Sequence, residues 1–328
     1  MWSLAVEVSF YAVLPLIGWL ALRLPRRRRS LALVPLALVV VGVIYNWTIA
    51  GQGLSMTFSK TLAAMLPYFA LGMLAALVAH GRTIDMATKR ILVAAGIALV
   101  VAAVLASLAT PLGTWATADL PIGVVWFNAM EVVAWAAVWL AGWGPNSAFG
   151  LVGGYRFVAQ GLAYELPHMF VLTTAALGAG SLRVGDIVAA QQDLWFVVWM
   201  PVAFLVYLVS VPAMAFFRPF DHAVGTDLAG GARAELSGVD RLVFTAGQWV
   251  LLVSGAAMAV PLFLGGGAGP LLPGWLWTVV KTAAVLALLV WAGRRLPTIR
   301  MERFTELSWL VLVPATLLQA LFVSFVVI

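Results

Sequence analysis

The chain has 328 residues, 63% of them hydrophobic and only 10% charged. Soluble domains are roughly a quarter charged, so a soluble globular protein is excluded; continuous apolar runs, without the alternation of roughly ten-residue barrel strands, exclude a β-barrel. The absence of cysteine excludes disulfides, thiolate metal sites and a cysteine nucleophile, and the net charge of +6 reads as basic loops on one side of a membrane, with no nucleic-acid partner.

The apolar runs match the ~20 residues that cross a bilayer core. They predict an all-α, polytopic membrane protein of about ten transmembrane helices. In chain order the spans are 4–22, 31–50, 61–80, 91–112, 120–143, 158–180, 194–217, 241–265, 273–293 and 305–327. Placing "RLPRRRR" inside puts the loops at 81–90, 144–157, 218–241 and 294–304 on the same face. Those inside segments hold 16 of the 19 Lys and Arg, which fixes both termini outside. Residues 183–192 are too polar to span and predict a short surface helix. The long polar segment 218–241 carries Asp221, Asp227, Glu235 and Asp240, acids that topology does not require.

Ionisable groups inside spans are costly and point to function. They are Glu7, Glu131, Glu165, His168 and Lys281. Ser3 and Tyr11 share a helical stripe with Glu7 and could hydrogen-bond it. Asn128 stands three residues before Glu131, which suits either an interhelical polar clamp or proton handling by a desolvated carboxyl. Glu165 lies half a turn of the helical wheel away from Arg156 and about 13 Å deeper along the axis. His168 is its nearer neighbour, and Pro167 frees a backbone carbonyl one turn earlier. His80, His168 and His222 are too scattered for a metal site, and none is expected.

From about residue 105 to the end, the chain resembles the H-type (subunit 1 type) membrane subunit of proton-pumping NADH:quinone oxidoreductase, respiratory complex I. The resemblance rests on "ADLPIGVVWF" (118–127), "LAGWGPNSAFGLVGGYRFVAQGLAYELP" (140–167), "AGSLRVGDIV" (179–188), "RPFD" (218–221), "AELSG" (234–238), "LFLGGGAGPLLPGWLWTVVKT" (262–282) and "RRLPTIRMERFTELSWLVLVP" (294–314). It implies a subunit that lines a quinone cavity and begins a proton path of buried carboxyls. Residue by residue, it assigns Glu165, Asp119 and Lys281 to the proton path, to which the burial argument adds Glu131. Arg156, Asp221, Asp227, Glu235 and Arg294 fall at the quinone cavity or its loop. Quinone is then a substrate and no cofactor is held tightly. The implied partners are the other subunits of a complex I-like assembly and membrane lipid, in a bacterial plasma membrane. The chain departs from that pattern where "HAVG" replaces an acid-rich stretch, where Gln248 replaces a glutamate, and where the family's first helix and basic quinone loop are absent.

The opening is similar to a different family. "MWSLAVEVSFYAVLPLI" (1–17) and "LPYFALGMLAAL" (66–77) resemble the membrane acyltransferase-3 family, with Trp2, Ser3, Glu7 and Tyr11 as the motif residues. That family's histidine and arginine constellation upstream of the motif is missing. The sequence is therefore read as a fusion: residues 1–95 a three-helix acyltransferase-like part, and 96–328 a seven-helix part of the complex I type. The expected function is that of a subunit without autonomous catalysis; the alternatives are a membrane O-acyltransferase or a non-functional fusion.

Overall fold

A computed structural model describes residues 33–51, 86–113 and 118–327. Every regular element among them is helical. The chain divides into two compact units, residues 1–83 and 84–328. In the first, α1 spans Leu33–Gly51, the run expected at 31–50. The spans expected at 4–22 and 61–80, and with them Trp2, Ser3, Glu7 and Tyr11, lie outside the described residues.

The second unit opens with α2 (Met86–Ser107) and α3 (Gly123–Trp143). The helix α4 follows, over Ala148–Ala179, and is longer than the expected 158–180. Residues 148–157 thus belong to a helix and not to a loop, and Arg156 sits in its third turn. The cause is the glycine pattern. A Cβ at Gly142 would lie 2.5 Å from the Gly150 carbonyl, and one at Gly153 would lie 2.3 Å from the Ala232 nitrogen. Small residues let α4 run on in close contact where side chains would have forced it away. It stops at Gly180, a left-handed residue (φ 64°), with the Ser181 N–H bonded back to the Ala176 carbonyl.

The expected surface helix is α5 (Val184–Ala189). The span expected at 194–217 is broken into α6 (Phe196–Trp199) and α7 (Pro201–Met214), with Pro201 opening α7 where its missing N–H costs nothing. Three single 3₁₀ turns carry the polar segment: His222–Val224, Thr226–Leu228 and Gly231–Arg233. Then come α8 (Gly238–Phe263), α9 (Gly274–Arg295) and α10 (Met301–Leu307). A five-residue π segment, Ser308–Leu312, joins α10 to α11 (Val313–Val327).

Among the described residues, α3, α8, α9 and the continuous 301–327 helix are long and apolar enough to cross a membrane. Leu310, Leu318 and Phe325 expose 68–76% of their surface on the last of these. In water such a face would aggregate; lipid accepts it. The protein is a polytopic helical membrane protein. Within the unit α4 is central, packed against α3, α7 and α11, while α2 lies against α3 and α8. The core it shares with them includes Phe127, Phe157, Tyr207 and Phe263.

Candidate functional site: a buried carboxyl–imidazole cluster

Polar side chains inside this bundle fall into two groups. The first is fully committed to backbone. Gln191 donates from Nε2 to the Ile187 and Pro261 carbonyls (3.0 and 2.7 Å), while its Oε1 accepts from the Phe196 and Gly265 N–H groups (3.2 and 3.0 Å). Lys281 donates its ammonium protons to the Leu264, Gly266 and Ala268 carbonyls at 2.6, 2.9 and 2.7 Å. Its Nζ also stands 4.1 Å from the Trp195 ring centre. Both side chains tie down the chain just beyond α8, where carbonyls would otherwise be left without partners.

The end of α7 is held in the same manner. Gln160 of α4 donates to the Ala213 carbonyl (2.5 Å), and Gln248 of α8 donates to the Phe216 carbonyl (2.9 Å). The Gln160 oxygen is 2.7 Å from His222 Nδ1, which fastens the polar segment to the bundle. Pro167 has no N–H for the Ala163 carbonyl four residues earlier. The Ser308 hydroxyl donates to that carbonyl instead, from the first residue of the π segment. The freed carbonyl expected from Pro167 is thus taken by a side chain 145 residues away.

The second group is not committed. Glu131 of α3 (4% exposed) meets His168 of α4 (0% exposed), Nε2 to Oε1, at 3.2 Å. That distance is short, but the contact does not meet hydrogen-bond geometry, and neither side chain makes an aligned hydrogen bond. His168 stacks on Tyr207 at 5.1 Å between ring centres and meets Tyr164 edge-on at 6.5 Å. The Tyr207 hydroxyl donates to the Gly255 carbonyl (2.9 Å). Tyr164 and Glu165 stand about one turn before His168 on α4. The structure therefore brings Glu131, His168 and Tyr164 together at the α3–α4 contact, with the half-buried Glu165 three residues before His168 on α4. Sequence reasoning singled out His168 as the neighbour of Glu165; the structure also gives it Glu131, across the helix pair.

The remaining predicted residues are elsewhere. Asp119, half-exposed, faces Arg183 at 3.4 Å ahead of α3. Arg156 pairs with Asp227 at 2.5 Å, and that hydrogen bond holds the Asp227 carboxyl below its ordinary value. Asp221 faces Arg218 at 3.4 Å. Burial lowers the Arg233 guanidinium from its usual range, Arg241 adds to the effect and Asp221 opposes it. Glu235 and Arg294 are exposed. Among the described residues no group of three His, Cys, Asp or Glu could hold a metal. Sequence reasoning gave no role to Gln191, Ser308 or Tyr207. A buried glutamine beside a helix end was the available signal for the first; the others depend on contacts too distant in the chain to read.

A helical bundle with spans long and apolar enough to cross a membrane, and with ionisable groups buried among them, defines the class: a polytopic helical membrane protein. The family model described as NADH dehydrogenase matches residues 73–324, and the chain belongs to that family. The match begins well before residue 105, inside the 1–95 part that the sequence reading gave to another family. The chain is 39% identical over 211 residues to the NADH-quinone oxidoreductase H subunit 2 of Geobacter sulfurreducens, covering 64% of each protein. It is 38% identical over 206 residues to the NADH-quinone oxidoreductase H subunit 1 of Geobacter metallireducens, covering 62% of each. The NADH-quinone oxidoreductase H subunit of Carboxydothermus hydrogenoformans is 34% identical over 212 residues, or 63% of this chain and 61% of that one. The chain thus spans a little under two thirds of the length of these relatives.

Proposed function

We propose that this chain is a membrane subunit of a proton-translocating NADH:quinone oxidoreductase-like complex in a bacterial plasma membrane. It lines a quinone cavity and starts a path of buried carboxyls. The observation that carries the reading is the buried Glu131–His168 contact, three residues from Glu165 on α4, inside the region that matches the family. Acids are expensive at such depth, and a protein keeps them there when protons must pass.

In this reading Glu131 and Glu165 exchange protons, and Asp119 serves the opposite membrane face. Lys281, its three donors committed to carbonyls, acts as a fixed cation beside the path. Arg156, Asp221, Asp227, Glu235 and Arg294 belong to the quinone-facing loops. Quinone is the substrate. Electrons come from partner subunits, since a chain without cysteine offers no ordinary iron–sulfur ligand set.

The test is purification of the full chain from its own membranes. Recovery with other subunits of such a complex, active in NADH-dependent quinone reduction, is the expected result. Recovery of the chain alone, with turnover of an acyl donor abolished by Glu7→Gln, would overturn it in favour of a membrane O-acyltransferase.

A further inference from the structure

Buried polar atoms in native proteins almost always have partners, and a few per hundred residues do not. Among the described residues eight buried side-chain atoms make no hydrogen bond within the protein. Six of the eight belong to four side chains of the α3–α4 pair: Asn128 Oδ1, both Glu131 oxygens, Trp135 Nε1 and both His168 nitrogens, with Glu131 and His168 in contact. Asn128, Glu131 and Trp135 are spaced three and four residues apart, on one face of α3. The Trp135 indole occupies the space where a Cβ on Gly161 would be, 1.5 Å from its nearest ring carbon, and Gly161 lies two turns before His168 on α4.

Packing is dense at the indole and polar beside it. Leaving six such atoms dry would be costly, because a buried unpaired polar group forfeits its hydration. Buried polar groups without protein partners are where internal water is held.

We propose that Glu131 and His168 form a hydrated proton-holding dyad within the membrane, a one-proton store between α3 and α4. Empty, it has a Glu131 carboxylate and a neutral imidazole. Loaded, it has gained one proton, on the carboxyl or on His168 Nε2, and is neutral overall. Loading breaks an O–H bond of a hydronium in the internal water and forms one O–H or N–H bond; no electrons move. The ionisable groups against the dyad are Tyr164 from α4 and Tyr207 from α7, the last committed to the Gly255 carbonyl of α8, and Glu165 is three residues before His168 on α4. The inference deepens the proton-path reading and rests on it for where the proton goes next.

The test is pH-difference infrared spectroscopy on the full chain in lipid nanodiscs, which needs no partner subunit and no turnover. The expected result is a carboxyl protonation band that disappears in Glu131→Gln and moves in His168→Gln. A band unchanged in Glu131→Gln, or unmoved in His168→Gln, overturns the dyad. If either variant fails to fold, nitrogen-15 labelling of the histidines in the unmodified chain decides. A His168 ring whose signals move with pH in step with the carboxyl band supports the store; a ring that never responds contradicts it. Failure here leaves the role of Glu165 standing, because that role is read from translocation in the assembled complex.

Discussion

Two buried polar regions of this protein differ in how completely they are satisfied. Around Gln191 and Lys281, every side-chain donor and acceptor that can be used meets a backbone group at 2.6–3.2 Å. Around Glu131 and His168, six buried atoms are left open. The first region is built to hold a loop still. The second leaves those atoms to internal water, as a purely structural clamp would not. Burial of a charge is therefore a poor guide to function until its partners have been counted.

The comparison can be broken most sharply at Lys281. Lys281→Met strips partners from three carbonyls, so it is expected to destabilise the chain by about 3 kcal/mol or more, read as a lowered unfolding midpoint in detergent. By contrast, Glu131→Gln should leave that midpoint almost unmoved, since it breaks no aligned hydrogen bond. A large loss there would make Glu131 a clamp like the others.

Ser308→Ala comes next. It re-exposes the Ala163 carbonyl opposite Pro167 and should cost about 1–2 kcal/mol, with loosening confined to the Pro167 turn in hydrogen exchange. A smaller loss is expected at Arg156 and Asp227, both substantially exposed. Because Arg156 lowers the Asp227 carboxyl, the pair's contribution is present above the carboxyl's unfolded value. It is lost as pH falls through the lowered one. Arg156→Ala should cost under about 1 kcal/mol near neutrality after solvent screening, and the difference from the parent chain should vanish in acid.

Most of the helices were legible because lipid demands continuous apolar length, a signal that survives without any tertiary information. The departures are local and have causes. Glycines 142, 150, 153 and 154 extend α4 through a stretch that polarity alone marks as a loop. Pro201 splits one span into two pieces. Glu131, Glu165 and His168 stood out because charged groups in apolar runs are rare. The pairing of His168 with Glu131 was not legible, since 37 positions separate them and the helix wheel offered a nearer acid. Ser308 was invisible for the same reason: a hydroxyl reports nothing until the carbonyl it meets is known.

The measurement closest to the central claim is proton translocation coupled to quinone reduction in an assembled complex carrying Glu165→Gln. The account predicts normal assembly with translocation lost or strongly reduced. An assembled complex that moves protons at the parent rate would contradict it.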